Sequence, residues 1–307
     1  MKKLLIIALA GTIALTSCRK SPEDVFELLE IQFAGRVLQT STPSSMLTTG
    51  ITQSLDVFFA DDRIGIFMIK ADPGTLAEEN ILVKNRELVA TGGATTSFVA
   101  VEGAPIFFPN DPNESVRFVA YHPFSEDITT DFRLPIDLSD QSDLSKHKIL
   151  YVPVTVSFNR TRAEVIPLEF RHQLTRLVFN ITNGAGASIP VENGLAVRIS
   201  GQHTQGELYL TNGEIFTSGE LSEIVVQSSG EGTTVTAEAM VFPGSTAGVQ
   251  LFITNEAGQE FVVTLPGQTW AGSTLYTYSI ELTTASSSAP IVATLVGERV
   301  DLVGILR

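Results

Sequence analysis

Few residues of this 307-residue chain stand at spacings that chemistry uses. The four histidines, His122, His147, His172 and His203, are scattered, and none falls into a two-histidine metal spacing such as H-E-x-x-H. No G-x-S-x-G elbow, G-x-x-x-x-G-K-[ST] phosphate loop or G-x-G-x-x-G strand-to-helix turn occurs, so hydrolase, kinase and dehydrogenase readings lack their usual footholds. Asp137, Asp140 and Asp143 would offer oxygen ligands to calcium, but they lack the alternate positions and the glycine of an EF-hand loop, and a solvated loop is expected. Trp270, the single tryptophan, precedes Ala271-Gly272 and could stack on a sugar; a core or turn-plugging role is the commoner use of such a residue. A carboxylate pair drawn from distant segments would escape this search. The expectation is therefore a protein that is not an enzyme, with no catalytic residue, metal or cofactor.

The chemistry the N-terminus does support is lipidation. Lys2 and Lys3 precede the apolar run Leu4 to Thr16, which is long enough for a signal-peptide core and too short for a bilayer span. The run reaches Leu15-Thr16-Ser17-Cys18, small residues directly before a cysteine, as a lipoprotein signal peptidase requires. Residues 1–17 read as signal peptide and Cys18 as the acylated N-terminus. Being the only cysteine, it builds no disulfide, zinc site or paired thiol. Acyl chains there would hold the protein to a membrane. The formal net charge of −14 argues against nucleic acid as a partner, because phosphate binders present basic faces.

From Leu28 onward, apolar residues recur in runs of four to eight, often alternating, rich in Val, Ile, Phe and Thr and punctuated by Gly, Pro, Asn and Ser. Val116 to Tyr121, Leu208 to Leu210, Val249 to Thr254, Phe261 to Leu265 and Thr274 to Leu282 read as strands, with brief helices expected only at Pro22 to Glu30 and around Asp140 to Lys148. Many short strands at this spacing imply an all-β chain of sandwiches. Composition shifts near Asn159 to Glu164 and at Thr283 to Pro290 divide it into a lipidated segment 18–36, an N-terminal sandwich 37–163, a C-terminal sandwich 164–284 and a terminal strand segment 285–307. A terminal strand on a flexible connector suits donation to an open sheet edge on another copy, and Ile291, Ala293, Leu295, Val300 and Leu302 are its candidate donor residues. Pairing within its own domain is the plain alternative.

Several segments in order resemble the fimbrillin family, the type V pilus subunits and related lipoproteins of anaerobic Gram-negative bacteria. They are Asp62 to Met68, Phe118 to Phe124, Ile149-Leu150-Tyr151, Leu168-Glu169-Phe170-Arg171-His172-Gln173-Leu174 with Thr175 to Phe179, and Trp270-Ala271-Gly272 with Tyr276 to Ile280. The resemblance implies two tandem transthyretin-like β-sandwiches and assembly by strand exchange. An arginine-specific protease would remove the first strand, and a neighbour's strand would fill the groove. The matching positions are the removable strand with Leu28, Leu29, Ile31 and Phe33, and the cut site Arg36 just after it. Partners would be other fimbrial subunits in a homo- or hetero-polymer, and the place the cell surface. The alternative is a non-polymerising lipid-anchored protein that binds a glycan or host protein through Trp270 or a loop.

Overall fold

A computed structural model describes residues 28–38, 55–101, 103–128, 130–162, 165–184, 195–231, 234–256, 258–284 and 291–302. Residues 1–17, expected as a signal peptide, Cys18 and the expected connector 285–290 lie outside the described residues. The described residues form twenty strands, beginning with β1 (Phe33–Val37), β2 (Phe58–Lys70), β3 (Ile81–Gly93), β4 (Thr96–Ala100), β5 (Val116–His122), β6 (Arg133–Asp137), β7 (Leu150–Val152), β8 (Ile166–His172), β9 (Thr175–Asn183) and β10 (Ala196–Gln202). They continue with β11 (Gln205–Tyr209), β12 (Ile215–Ser218), β13 (Ser222–Glu231), β14 (Thr234–Val241), β15 (Gly244–Ser245), β16 (Gln250–Thr254), β17 (Glu260–Thr264), β18 (Thr269–Trp270), β19 (Thr274–Thr284) and β20 (Ile291–Leu302). The all-β expectation holds. Two 3₁₀ turns occur among the described residues, one of them Leu144–His147, inside the stretch where a brief helix is expected, and Leu55 is helical.

Seven strands close into a barrel in the order β1-β4-β3-β2-β5-β7-β8, and eight form a second sheet in the order β17-β16-β10-β13-β14-β9-β19-β20. The inner faces expected of the first sandwich are here the inside of one closed sheet, because β1 pairs antiparallel with β4 and parallel with β8 and so joins edges that would otherwise stay open. Strand pairing also crosses the expected boundary at 163/164: β8 completes the barrel, while β6 joins β11 and β12 from the second half. The break in strand pattern falls between β7 and β8, two strands of one barrel. The real change of sheet comes at Gln173-Leu174, between β8 and β9.

The burial patterns explain why these segments are strands of these kinds. In β8 and β9 every second residue is buried, so Ile166, Leu168 and Phe170 fill the barrel while Leu177, Phe179 and Ile181 fill the second core. The middle of β2 is buried on both faces, which its near-continuous apolar run Ile64 to Ile69 anticipates. Ile64, Ile66 and Met68 point into the barrel with Phe118 and Ala120. Phe67 and Ile69 point outward with Val119 and Tyr121 into a third core, shared with Leu208, Leu210, Met240 and Phe242 from the second half.

Gly65 permits the close packing of that third core. A Cβ at this position would lie 2.2 Å from a ring carbon of Tyr121, whose hydroxyl donates to Asn85 Oδ1 at 2.7 Å and cannot withdraw without losing that bond. Replacing Gly65 by Ala is expected to lower stability by about 1–3 kcal/mol, the usual range for overpacking. The check is a shift of the urea midpoint at unchanged m value.

Candidate functional site

The residues around the N-terminal strand form the part of the barrel that carries the sequence's functional expectations. Ile31, Phe33 and Val37 are buried in the barrel core, Gly35 lies between them on the same face, and Gln32 and Arg36 face outward. Leu28 and Leu29, expected in the same removable strand, are 61% and 39% exposed and outside the strand, so they add little to its hold. Backbone bonding begins where Phe108 N–H donates to Leu29 O at 3.0 Å and Ile31 N–H donates to Ile106 O at 2.8 Å, and it ends where Leu38 N–H donates to Phe170 O at 2.8 Å. At roughly 1.5–3 kcal/mol for each fully buried large apolar side chain, Ile31, Phe33 and Val37 together contribute on the order of 5–9 kcal/mol. That is comparable to the net stability of a whole domain.

Arg36 lies within β1 rather than after it. Its guanidinium points to solvent and meets Glu169 on β8 at 2.6 Å, an exposed pair of small energetic weight. Pairing with β4 stops at Gly35, opposite Thr96, whereas pairing with β8 continues through Val37. The Arg36–Val37 peptide is thus laddered on one side only. The expectation of a cut site outside the strand assumed that the apolar alternation ended at Phe33. It continues through Gly35 and Val37, and the glycine hides that continuation.

The walls of this seat were not legible as functional residues in the sequence. Phe98 of β4 and Phe170 of β8 close over Gly35, their ring centroids 5.7 Å apart, and Phe58 stands edge-on to both at 5.2 and 5.0 Å. A Cβ on residue 35 would lie 2.6 Å from Phe98 Cε2 and 3.0 Å from Leu168 O. The signal available in the sequence was a glycine inside an apolar alternation, which marks close approach of another chain segment.

At the other end of the chain, β20 pairs antiparallel with β19 and forms one edge of the eight-stranded sheet. It is a single strand with a bulge at Val296, where the register slips between Ile280↔Leu295 and Ser279↔Gly297. The slip keeps Ile291, Ala293, Leu295, Val300 and Leu302 at positions opposite Thr284, Leu282, Ile280, Tyr276 and Thr274. The five candidate donor residues therefore share one row pattern, and Ala293 and Leu295 pack against the second core.

The remaining sequence candidates are structural. Trp270 is 1% exposed and donates from Nε1 to Tyr278 Oη at 2.8 Å, so it presents no ring to a sugar; its aromatic bulk plugs the second core. Asp137, Asp140 and Asp143 each accept the backbone N–H two residues on, at 2.8, 2.9 and 3.0 Å, which makes them turn formers. Hydrogen bonding to these N–H groups and the serine hydroxyls holds all three carboxyls below the usual range. Among the described residues no group of three or more His, Cys, Asp or Glu side chains converges as a metal site requires.

A charged cluster closes the barrel beside Phe58. Lys148, only 3% exposed at its side chain, donates to Asp62 at 2.6 Å and to Val57 O at 3.2 Å. His172 Nε2–H donates to Asp56 at 3.1 Å, and His122 Nδ1–H donates to Arg63 O at 2.9 Å. Burial, and then the positive charge of Lys148, push His122 down to about 4. The unfolded chain therefore binds a proton between about pH 6.5 and pH 4 that the folded barrel refuses, and stability contributed by neutral His122 is lost as pH falls through that window. Thermal melts should show a falling midpoint from pH 6.5 to 4, and His122→Asn, which keeps a donor toward Arg63, should flatten that slope. An equal slope in both proteins would move the acid sensitivity elsewhere.

With this geometry in hand, comparison with known proteins gives a consistent picture. A family model described as fimbrillin-like matches residues 50–297. A crystal structure of a candidate cell adhesion protein from Bacteroides uniformis ATCC 8492 is similar at TM-score 0.66 and 24% identity, covering 90% of this chain and 98% of that one. Another candidate cell adhesion protein, from Bacteroides ovatus ATCC 8483, is similar at TM-score 0.64 and 17% identity, covering 91% and 99%. A third, from Bacteroides fragilis NCTC 9343, follows at 0.58 and 12%, covering 88% and 98%. At these identities the likeness establishes a shared fold. No curated protein matches the chain.

Proposed function

This chain belongs to the fimbrillin-like family, and on that premise we propose that it is a fimbrial subunit of the cell surface that assembles by exchange of its first strand. In this reading the chain is exported as a lipoprotein, acylated on Cys18 and carried to the outer membrane. Cleavage after Arg36 then frees the lipid and the strand together.

The observation that carries the reading is the position of Arg36. It is the only arginine or lysine between Lys20 and Arg63. Its side chain is exposed, and its peptide bond to Val37 is free of ladder bonds on the β4 side. Endoproteases bind their substrates as extended strands, so a half-open edge bearing an exposed arginine fits that requirement. Removing β1 would withdraw Ile31 and Phe33 and open the barrel between β4 and β8. A groove that exposes those pockets and two rows of backbone groups favours a replacement strand. The tandem transthyretin-like arrangement is consistent with this use, since one unit would offer the groove and the other would carry the terminal strand.

Expression of the wild-type chain and of Arg36→Ala in cells that build such fibres tests the proposal. The wild-type protein should appear at the surface as a product beginning at Val37, in oligomer ladders that resist mild detergent. Arg36→Ala should accumulate as full-length lipidated monomer. Fibres of normal length built from Arg36→Ala would overturn the assigned cut site. A wild-type chain that reaches the surface and is never found in fibres would overturn the subunit role in favour of a lipid-anchored binding protein.

A further inference from the structure

The three-stranded sheet β6-β11-β12 belongs to neither the barrel nor the eight-stranded sheet. Its inner residues Leu134, Ile136 and Leu208 cover the third core. Alternation sends every second residue outward, and the register sets those residues in rows across the strands. One row is Pro135, Glu207 and Phe216; in the next, Arg133 stands opposite Tyr209. Pro135 sits on an edge strand, the place where a sheet tolerates proline. The side chains of these rows are braced. The Arg133 guanidinium lies over the Tyr209 ring, 4.7 Å from its centroid, and reaches Glu207 at 3.3 Å and Asp131 at 4.0 Å. The Phe216 ring leans on Tyr209 with 4.6 Å between centroids and 57° between planes. Glu214, in the turn between β11 and β12, accepts from the Asn212 amide at 2.7 Å. Phe216 still keeps 50% of its surface exposed. Groups fixed in this way before contact lose little rotamer freedom when something binds to them.

We propose that this face binds a neutral glycan, with one sugar ring stacked on Phe216, the next against Pro135, and sugar hydroxyls bonded to Glu207 and Arg133. The C–H edges of a sugar ring carry partial positive charge and pack on the negative face of an aromatic ring. Neighbouring hydroxyls donate to a carboxylate and accept from a guanidinium, and such charge-assisted bonds are the strong ones. Pro135 and Phe216 stand two strand spacings apart, about 10 Å, with Glu207 between them, so adjacent sugars each take an apolar shelf and share one carboxylate. The inference is independent of strand exchange, since none of these three strands pairs with β1 or β20.

Charge decides against other occupants. Asp131, Glu207 and Glu214 outnumber Arg133, so sulfated, uronic or phosphorylated ligands meet net repulsion. A basic peptide would seek an electron-rich ring flanked by carboxylates for its own cation. Arg133 already takes the Tyr209 ring and pairs with both Glu207 and Asp131. What stays open is a phenylalanine ring, a proline shelf and spare hydrogen-bonding capacity, which together suit an uncharged polyhydroxyl chain.

Binding of the full-length protein to immobilised polysaccharides tests the site, with mannan, galactan, xylan and β-glucan as neutral probes and heparin and polygalacturonate as anionic ones. The wild-type protein should bind at least one neutral polysaccharide, equally at low and high salt, and neither anionic one. Phe216→Ala and the isosteric Glu207→Gln should each weaken that binding about tenfold or more. Phe59→Ala, which removes another half-exposed phenylalanine, should leave it unchanged. The two site variants should keep the wild-type melting temperature; if Phe216→Ala fails to fold, Glu207→Gln carries the test alone. Absence of binding to every neutral polysaccharide, binding to the anionic ones only, or affinity unchanged in the site variants would overturn the proposal. Capture of poly-L-lysine that is lost in Phe216→Ala, with no neutral polysaccharide bound, would assign the face to a basic partner instead.

Discussion

Closure of the barrel by β1 is the interaction on which the rest of the first half depends. A sheet of six strands from β4 round to β8 has two edges, and each edge carries unpaired backbone donors and acceptors along residues whose side chains are otherwise core. One short strand satisfies both edges at once, antiparallel on one side and parallel on the other. That places an unusual share of the barrel's stability in a few residues next to the chain's start. It also makes the position demanding, because the strand must be narrow at its middle, where Phe98 and Phe170 meet over Gly35.

The parallel β1–β8 pairing links this closure to the second half of the molecule. The strand β8 ends at His172, and two residues later β9 begins in the other sheet. The Ser273 hydroxyl donates to His172 O, and Ser273 N–H donates to Leu174 O, so the start of β19 is tied to this crossing. Strands β9 and β19 then run parallel through eight registered pairs. The third core packs the outward faces of β2 and β5 against residues of β11 and β14. Loss of β1 therefore opens one seam of the barrel while the opposite wall stays held between two cores. In the strand-exchange reading, a barrel that loses a strand while keeping its other contacts would need such a second anchorage.

Much of this was legible in the sequence, and the failures have physical causes. The strands with clean alternation, such as Val249 to Thr254 and Phe261 to Leu265, were readable because period-two burial writes itself directly into residue type. The doubly buried β2 entered the sequence reading only through the resemblance at Asp62 to Met68. Closure was not readable, since an edge strand and a closing strand carry the same alternation, and neither was the crossing of the 163/164 boundary by β8. Trp270 left two roles open from composition alone, and only its bond to Tyr278 decides between them. Arg36 was legible as a candidate, but Gly35 broke the apolar alternation and made the strand look finished four residues early.

In the strand-exchange reading proposed above, that same glycine would let the barrel discriminate among replacement strands. Backbone ladder bonds are indifferent to sequence, so a groove with two open edges would accept many apolar segments in many registers. Discrimination requires positions where the wrong residue is penalised rather than merely less favoured. Large pockets penalise weakly, because a Leu in place of Phe leaves a cavity that neighbours partly fill. A position where any side chain collides with a packed ring and a carbonyl penalises every residue except one. Only the first turn of alternation that brings a glycine to that point then places its neighbours in the remaining pockets, and the register follows from a single steric rule.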